Sequence, residues 1–271
     1  MRALGRGLGP RVALNLFLLW FSLLLGQPLI FAQSAYVNFE GKQTSPIRLS
    51  ADGTRLFAVN TPDARLSVFD VSQPSNPRLL AEIPVGVEPV SVNPRTADEV
   101  WVVNEVSDSI SIVSVSQRVV TDTLYVKDEP ADVMFAGGKA FVSAGRKNLI
   151  AVFDATTHTL ITNASVFGED PRALAVSADG TKVYAAFALS GNHTTIIPAN
   201  VAPPQPPPTN PNLPAPPQVG LIADASDPAW TNFVKYSLPD NDVVEIDAGT
   251  LSVTRYFTHV GTVNLGLAVR P

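Results

Sequence analysis

SADGTRLFAVN (Ser50 to Asn60) and SADGTKVYAAF (Ser177 to Phe187) are one phrase written twice, 127 positions apart. Each copy opens on an Asp-Gly pair, which accepts the positive φ of a tight hairpin. Each then runs into an apolar stretch containing an aromatic residue. A turn leading into a buried strand is the local reading. The recurrence raises the larger question of what fills the interval between the copies.

Working outward, four stretches align: SPIRLSADGTRLFAVN, EPVSVNPRTADEVWVVN, EPADVMFAGGKAFVSA and DPRALAVSADGTKVYAAF. Their prolines are Pro46, Pro89, Pro130 and Pro171, at steps of 43, 41 and 41, and their aromatics are Phe57, Trp101, Phe141 and Tyr184. After each proline comes a short apolar run, then a turn such as Asp52-Gly53, Gly137-Gly138 or Asp179-Gly180, then the aromatic strand. A third strand alternates with period two: RLSVFDV (65–71), SISIVSV (109–115) and LIAVFDA (149–155). A fourth, such as LLAEIPVG (79–86), leads to the next proline. Four strands in about 42 residues make a blade that must hide its apolar faces against its neighbours. No window sustains the i, i+3, i+4 spacing of a helical repeat. The fold class expected is all-β, a β-propeller of four-stranded antiparallel blades at about 45–87, 88–128, 129–169 and 170–263. On that reading the four aromatics pack between blades, and Asp70, Asp154 and Asp247, which end three third strands, cap turns.

These units resemble the YVTN-type β-propeller repeat of exported surface-layer-like and YncE-like bacterial proteins. The resemblance rests on the proline, the LAVSADGTKVY phrase, a VxVxD strand and a glycine before the next proline. FAVN (57–60) and WVVN (101–104) stand nearest to the family's tetrapeptide, while FVSA (141–144) and YAAF (184–187) lack its asparagine. The resemblance implies a scaffold reused for many purposes, so it specifies fold rather than activity.

The fourth unit is interrupted. PANVAPPQPPPTNPNLPAPPQ (Pro198 to Gln218) holds ten of the chain's 24 prolines, a composition that cannot enter a sheet ladder. The pattern resumes with NDVVEIDAGTLSVTRYFTHVG (Asn241 to Gly261), so an insertion at about 193–240 leaves one blade and returns to it. At the ends, AYVNFEG (35–41) and residues 264–271 read as lone strands of partial blades, the pattern of an open ring and of a fragment of a longer propeller.

The first 32 residues carry Arg2, Arg6 and Arg11 before the apolar run VALNLFLLWFSLLL (12–25). Gly26, Pro28 and Ala32 then supply a helix break and a small residue for cleavage, the pattern of a secretory signal. Export to the periplasm, the cell surface or the medium is expected, with membrane attachment only through this segment if it is not removed. The chain has no cysteine, which excludes disulfides, thiolate zinc sites and covalent c-type haem. A formal charge of −5 argues against a nucleic-acid partner, since such binding needs a basic face.

Chemistry is sparse. There is no G-x-S-x-G elbow, phosphate loop or G-x-G-x-x-G. His158, His193 and His259 occupy different places in different units and are read as surface residues that do not converge. Asp240, Asp242, Glu245 and Asp247 lie close enough to consider calcium but lack the spacing of a twelve-residue calcium loop. No catalytic residue, metal ligand or cofactor is assigned. The ligand-contact candidates are Arg48 and Arg172, beside first strands, and Trp230 and Tyr236, aromatics of the insertion. The reading is a non-enzymatic exported scaffold that binds a protein, a glycan or a small molecule at the propeller face. The alternative is a propeller enzyme or redox subunit, lactonase-like or quinoprotein/haem-reductase-like, with its catalytic residues elsewhere.

Overall fold

The structure is a computed structural model, and it describes residues 43–191, 193–234 and 238–270. The signal-like segment 1–32, the strand expected at 35–41 and Tyr236 lie outside the described residues. Four antiparallel sheets follow one another along the chain. Blade I holds β1 (Ile47–Leu49), β2 (Arg55–Asn60), β3 (Arg65–Asp70) and β4 (Arg78–Pro84). Blade II holds β5 (Pro89–Pro94), β6 (Glu99–Asn104), β7 (Ser109–Ser114) and β8 (Val119–Tyr125). Blade III holds β9 (Pro130–Ala136), β10 (Lys139–Ala144), β11 (Leu149–Asp154) and β12 (Leu160–Ser165). Blade IV begins with β13 (Glu169–Val176) and β14 (Lys182–Leu189). The chain then leaves to form the hairpin of β15 (Thr194–Ile197) and β16 (Leu221–Asp224) before β17 (Val243–Asp247) and β18 (Val253–Phe257) complete the blade. Each blade is a meander paired in sequence order, as expected of a β-propeller.

The repeated phrase does the same work in both places. Asp52 accepts hydrogen bonds from Thr54 N (3.0 Å) and from the hydroxyls of Ser50 and Thr54. Asp179 accepts from Thr181 N (3.0 Å) and from the hydroxyls of Ser177 and Thr181. Gly53 and Gly180, at φ of 69° and 70°, supply the left-handed residue of each turn. The third-strand aspartates also behave as expected. Asp70 accepts from Ser72 N, Asp154 from Thr156 N and Thr157 N, and Asp247 from Gly249 N and Thr250 N. In blade II a serine, Ser114, stands at that position. The carboxylate comes instead from Asp98 of the neighbouring turn, 2.6 Å from Ser116 N.

Packing between blades follows the two-sided pattern of each sheet. Phe57 lies in the cluster joining blades I and II, Trp101 in that joining II and III, and Phe141 in that joining III and IV, all fully buried. Burying a side chain of this size contributes roughly 1.5–3 kcal/mol each. Tyr184 holds the equivalent place in blade IV but is only half-buried, against Phe257 and Leu267. Its face looks away from blade III, and no further blade covers it among the described residues. The fully buried aromatic of blade IV is instead Phe187, which faces back to blade III. The same logic leaves Ile47 and Leu49 of blade I exposed. Residues 264–270, expected to form a strand, enter no ladder. Their ties to blade IV are Asn264 Nδ2 on Phe187 O and Leu267 against the sheet.

Candidate ligand-binding face

The first strands β1, β5, β9 and β13 lie side by side, and charged groups collect where they begin. Three acidic residues precede their prolines: Glu88, Glu129 and Asp170, with φ of 60°, 57° and 56°. A left-handed residue immediately before proline is strained by roughly 1–3 kcal/mol, so the fold must hold it in place. Two of the turns are held by the following hairpin: Glu105 N donates to Glu88 O (2.9 Å) and Gly145 N to Glu129 O (3.1 Å). Gly145 lies so close to the Asp170 carboxylate that a side chain there would have to displace it.

Arg172 reaches across this end of the molecule. Its Nη1 is 3.1 Å from Glu105 Oε1 and its Nη2 is 3.4 Å from Glu105 Oε2, while Asp170 Oδ1 lies 3.7 Å from Nη1. The pair ties blade IV to the hairpin of blade II over the top of blade III. Arg172, a ligand-contact candidate in the sequence, is 2% exposed, with Glu105 and Asp170 against its guanidinium. Around it, Arg146 Nε pairs with Glu129 at 3.2 Å and Asn148 Nδ2 donates to Glu169 at 3.1 Å.

Beneath these ion pairs lies a buried carboxyl. Asp132 Oδ1 accepts from Ser91 Oγ (2.5 Å) and Val133 N (2.9 Å), and its Oδ2 accepts from Leu174 N (2.9 Å) and Ser45 Oγ (3.4 Å). Burial pushes its pKa up, against the pull of these donors and of Arg48. Arg48 is half-buried, with Nη2 donating to Ser45 Oγ (3.2 Å) and its Nε buried without a partner among the described residues.

The insertion is built, not loose. Gly191 N donates to Pro239 O, closing the neck, and Ala225 N donates to His193 O across the hairpin base. Gln218 Nε2 donates to the carbonyls of Ala199, Ala202 and Pro203, gathering the proline-rich loop into a closed turn. Ile197 is fully buried beneath it. Between hairpin and blade IV opens a cavity of about 480 Å³ lined by Ser190, Thr194, Thr195, Ile196, Pro198, Ile222, Phe233 and Leu238, among others. Trp230 braces Phe233, their ring centroids 6.5 Å apart.

His193 and His259 do converge, contrary to the sequence reading: their rings are 6.1 Å apart, and Asp240 Oδ2 lies 2.9 Å from His193 Nδ1. His193 opens the insertion and His259 follows β18, so the meeting joins the insertion's start to the end of blade IV. His158 bridges blades II and III through Asp122 (2.8 Å) beside Trp101. The four carboxylates considered for calcium are turned to separate partners: His193 for Asp240, Val260 N for Asp242, Thr254 for Glu245 and Lys182 for Asp247. Among the described residues, no three His, Cys, Asp or Glu side chains are placed to share a metal ion.

The sequence reading missed Asp132, Glu105 and Ser190. Asp132 left a signal, a lone charge in the apolar run PADVMF, whereas the other two stand in unremarkable loops.

The sheets and their packing define a β-propeller with a decorated fourth blade. No family model matches the chain, and no curated protein does. Among solved structures it is similar to hydrazine synthase of Kuenenia stuttgartiensis, at 19% identity over 84% of this chain and 52% of that one, with a TM-score of 0.57. It also matches a 6-phosphogluconolactonase-like protein of Bacteroides uniformis, at 19% identity over 54% of this chain and 50% of that one, with a TM-score of 0.48. The chain spans about half the length of both matched structures. At such identity the likeness to hydrazine synthase shows the fold alone, and the second match carries no argument.

Proposed function

We propose that this chain is a recognition module of the exported YVTN-like propeller type, which binds its target on the face that carries the blade IV insertion. One observation carries the reading: that face holds a folded hairpin framing a cavity of about 480 Å³, while its charged groups are engaged with one another. A site built for acid–base catalysis keeps a titratable group available to the substrate. Arg172 and Glu105 serve each other instead, and among the described residues the cavity lining contains no charged side chain.

The test has two arms. Residues 1–34 fused to a reporter active only outside the cytoplasm should yield activity in a bacterial host, and a silent fusion would overturn export. The purified chain should not turn over a panel of lactones, carboxylic esters and phosphate esters. Turnover that Glu105→Gln abolishes would overturn the binding reading in favour of a propeller enzyme.

A further inference from the structure

We infer that the cavity between the β15–β16 hairpin and blade IV is a site for a small, uncharged, largely apolar molecule bearing one hydrogen-bonding group. The inference rests on the binding reading above and names the ligand class for the same face.

Size comes first. About 480 Å³ falls within the roughly 300–1,000 Å³ of small-molecule sites. The walls give the chemistry. Ile196, Pro198, Ile222, Phe233 and Leu238 offer aliphatic and aromatic surface, and Ser190, Thr194 and Thr195 offer hydroxyls. Among the described residues no Lys, Arg, Asp or Glu lines the cavity, so an ionic ligand would lose its hydration with no counter-charge from them in return.

Ser190 specifies the polar end. It is 1% exposed, it lines the cavity, and its Oγ has no hydrogen-bond partner among the described residues. A buried hydroxyl left unpaired is costly, and a ligand hydroxyl, amine or carbonyl recovers that cost on binding. The hydroxyl of Thr194 is already given to Gly191 O (2.9 Å), which leaves the buried Ser190, with Thr195 beside it, to orient the guest.

The frame is preorganised, which lowers the entropic cost of binding. Gly220 passes so close to Ile197 O that a Cβ would lie 2.9 Å from it, and Gly191 is pressed likewise against Leu238 O at 2.4 Å. Ile196 and Ile222 face each other across the hairpin and are both 72% exposed. An apolar guest seated against them removes that surface from water.

The probe is N-phenyl-1-naphthylamine, an uncharged aromatic amine with one N–H donor, titrated into the purified full chain and followed by its fluorescence. Saturable binding at one site is expected. Ser190→Ala should weaken it roughly three- to ten-fold, the value of one hydrogen bond. Ile222→Asp, at an exposed position that folding does not need, should weaken it roughly ten-fold or more while the protein keeps its melting temperature. The sulfonated analogue 1-anilinonaphthalene-8-sulfonate should bind roughly ten-fold more weakly than the neutral probe. Absence of saturable binding, binding untouched by Ile222→Asp, or preference for the sulfonate would each overturn the assignment. Those outcomes leave export and the absence of turnover standing. Turnover abolished by Glu105→Gln, with probe binding intact, would sink the binding-module reading and leave the cavity as a substrate pocket.

Discussion

Asp132 Oδ2 accepts the backbone N–H of Leu174 at 2.9 Å, and this bond fastens the first strand of blade III to that of blade IV. The other oxygen takes the hydroxyl of Ser91 from blade II, and Ser45, just ahead of blade I, completes the set. One carboxyl thus joins four successive units where their first strands converge. Apolar packing fixes how sheets stack but not how far they slide, because it is non-directional. Asp132 adds direction at the axis.

Removing it should be costly. In Asp132→Ala the N–H of Leu174 and the hydroxyl of Ser91 lose their acceptor inside the protein. Each buried donor left unpaired costs about 1–3 kcal/mol, so a loss of about 2–5 kcal/mol is expected in urea unfolding. A loss under about 1 kcal/mol would show that the axis does not need this carboxyl.

Acid should weaken the fold through the turns. Hydrogen bonds from Ser50 and then Thr54 hold Asp52 down to about 2, and those from Ser177 and then Thr181 hold Asp179 down to about 2. An unfolded aspartate titrates near about 3.9, so the unfolded chain takes up protons first as pH falls. The stability contributed by these turns is complete above about pH 4 and is lost as pH falls through about 2. Asp132 has the opposite sign: its raised pKa means that charging it weakens the fold as pH rises. Urea midpoints at pH 5, 4 and 3 should therefore fall less steeply in the Asp52→Ala, Asp179→Ala double variant than in the wild type. Parallel curves would rule out the turn aspartates as the acid-sensitive groups.

Blade spacing hangs on a contact between Gly168 and Phe187. A Cβ on Gly168 would sit 2.4 Å from three ring atoms of the fully buried Phe187. Overpacking of this kind costs about 1–3 kcal/mol. Gly168→Ala should be destabilised by that amount, and adding Phe187→Leu should cost less than the sum of the two single changes. Strict additivity in the double-mutant cycle would show that the two sites do not meet.

The features legible in the sequence were those written locally. The Asp-Gly turns need only the residues on either side, so SADGT predicts its own hydrogen bonds at both 50–54 and 177–181. Phe57, Trp101 and Phe141 were legible because they share one place in a repeat whose neighbours repeat too. Tyr184 escaped that rule because its face has no following blade among the described residues. Asp132, the Arg172–Glu105 pair and the approach of His193 to His259 depend on groups brought together by convergence of blades or closure of the insertion. Such meetings leave no periodic trace. The cavity was hidden for the same reason: its walls come from β15, β16, the turn at Phe233 and Leu238, which the sequence separates.

The Arg172–Glu105 pair separates a strut from a binding group. Side-chain exposures of 3% and 8% place it inside the protein, where desolvation offsets much of the attraction between the charges. Glu105→Ala takes from the guanidinium its carboxylate at 3.1 Å and leaves Asp170 at 3.7 Å among its partners. Losing one member of a buried pair costs about 3–5 kcal/mol, and the residual attraction to Asp170 sets the expected loss near 3. Replacing both, as Arg172→Met with Glu105→Leu, removes the guanidinium as well and should recover most of that stability. If the pair is purely a strut, the double variant also binds the naphthylamine probe as the wild type does, since neither residue lines the cavity. A double variant no more stable than Glu105→Ala would mean that the charges do more than satisfy each other. Thermal melts and probe titrations on the three proteins decide between these outcomes.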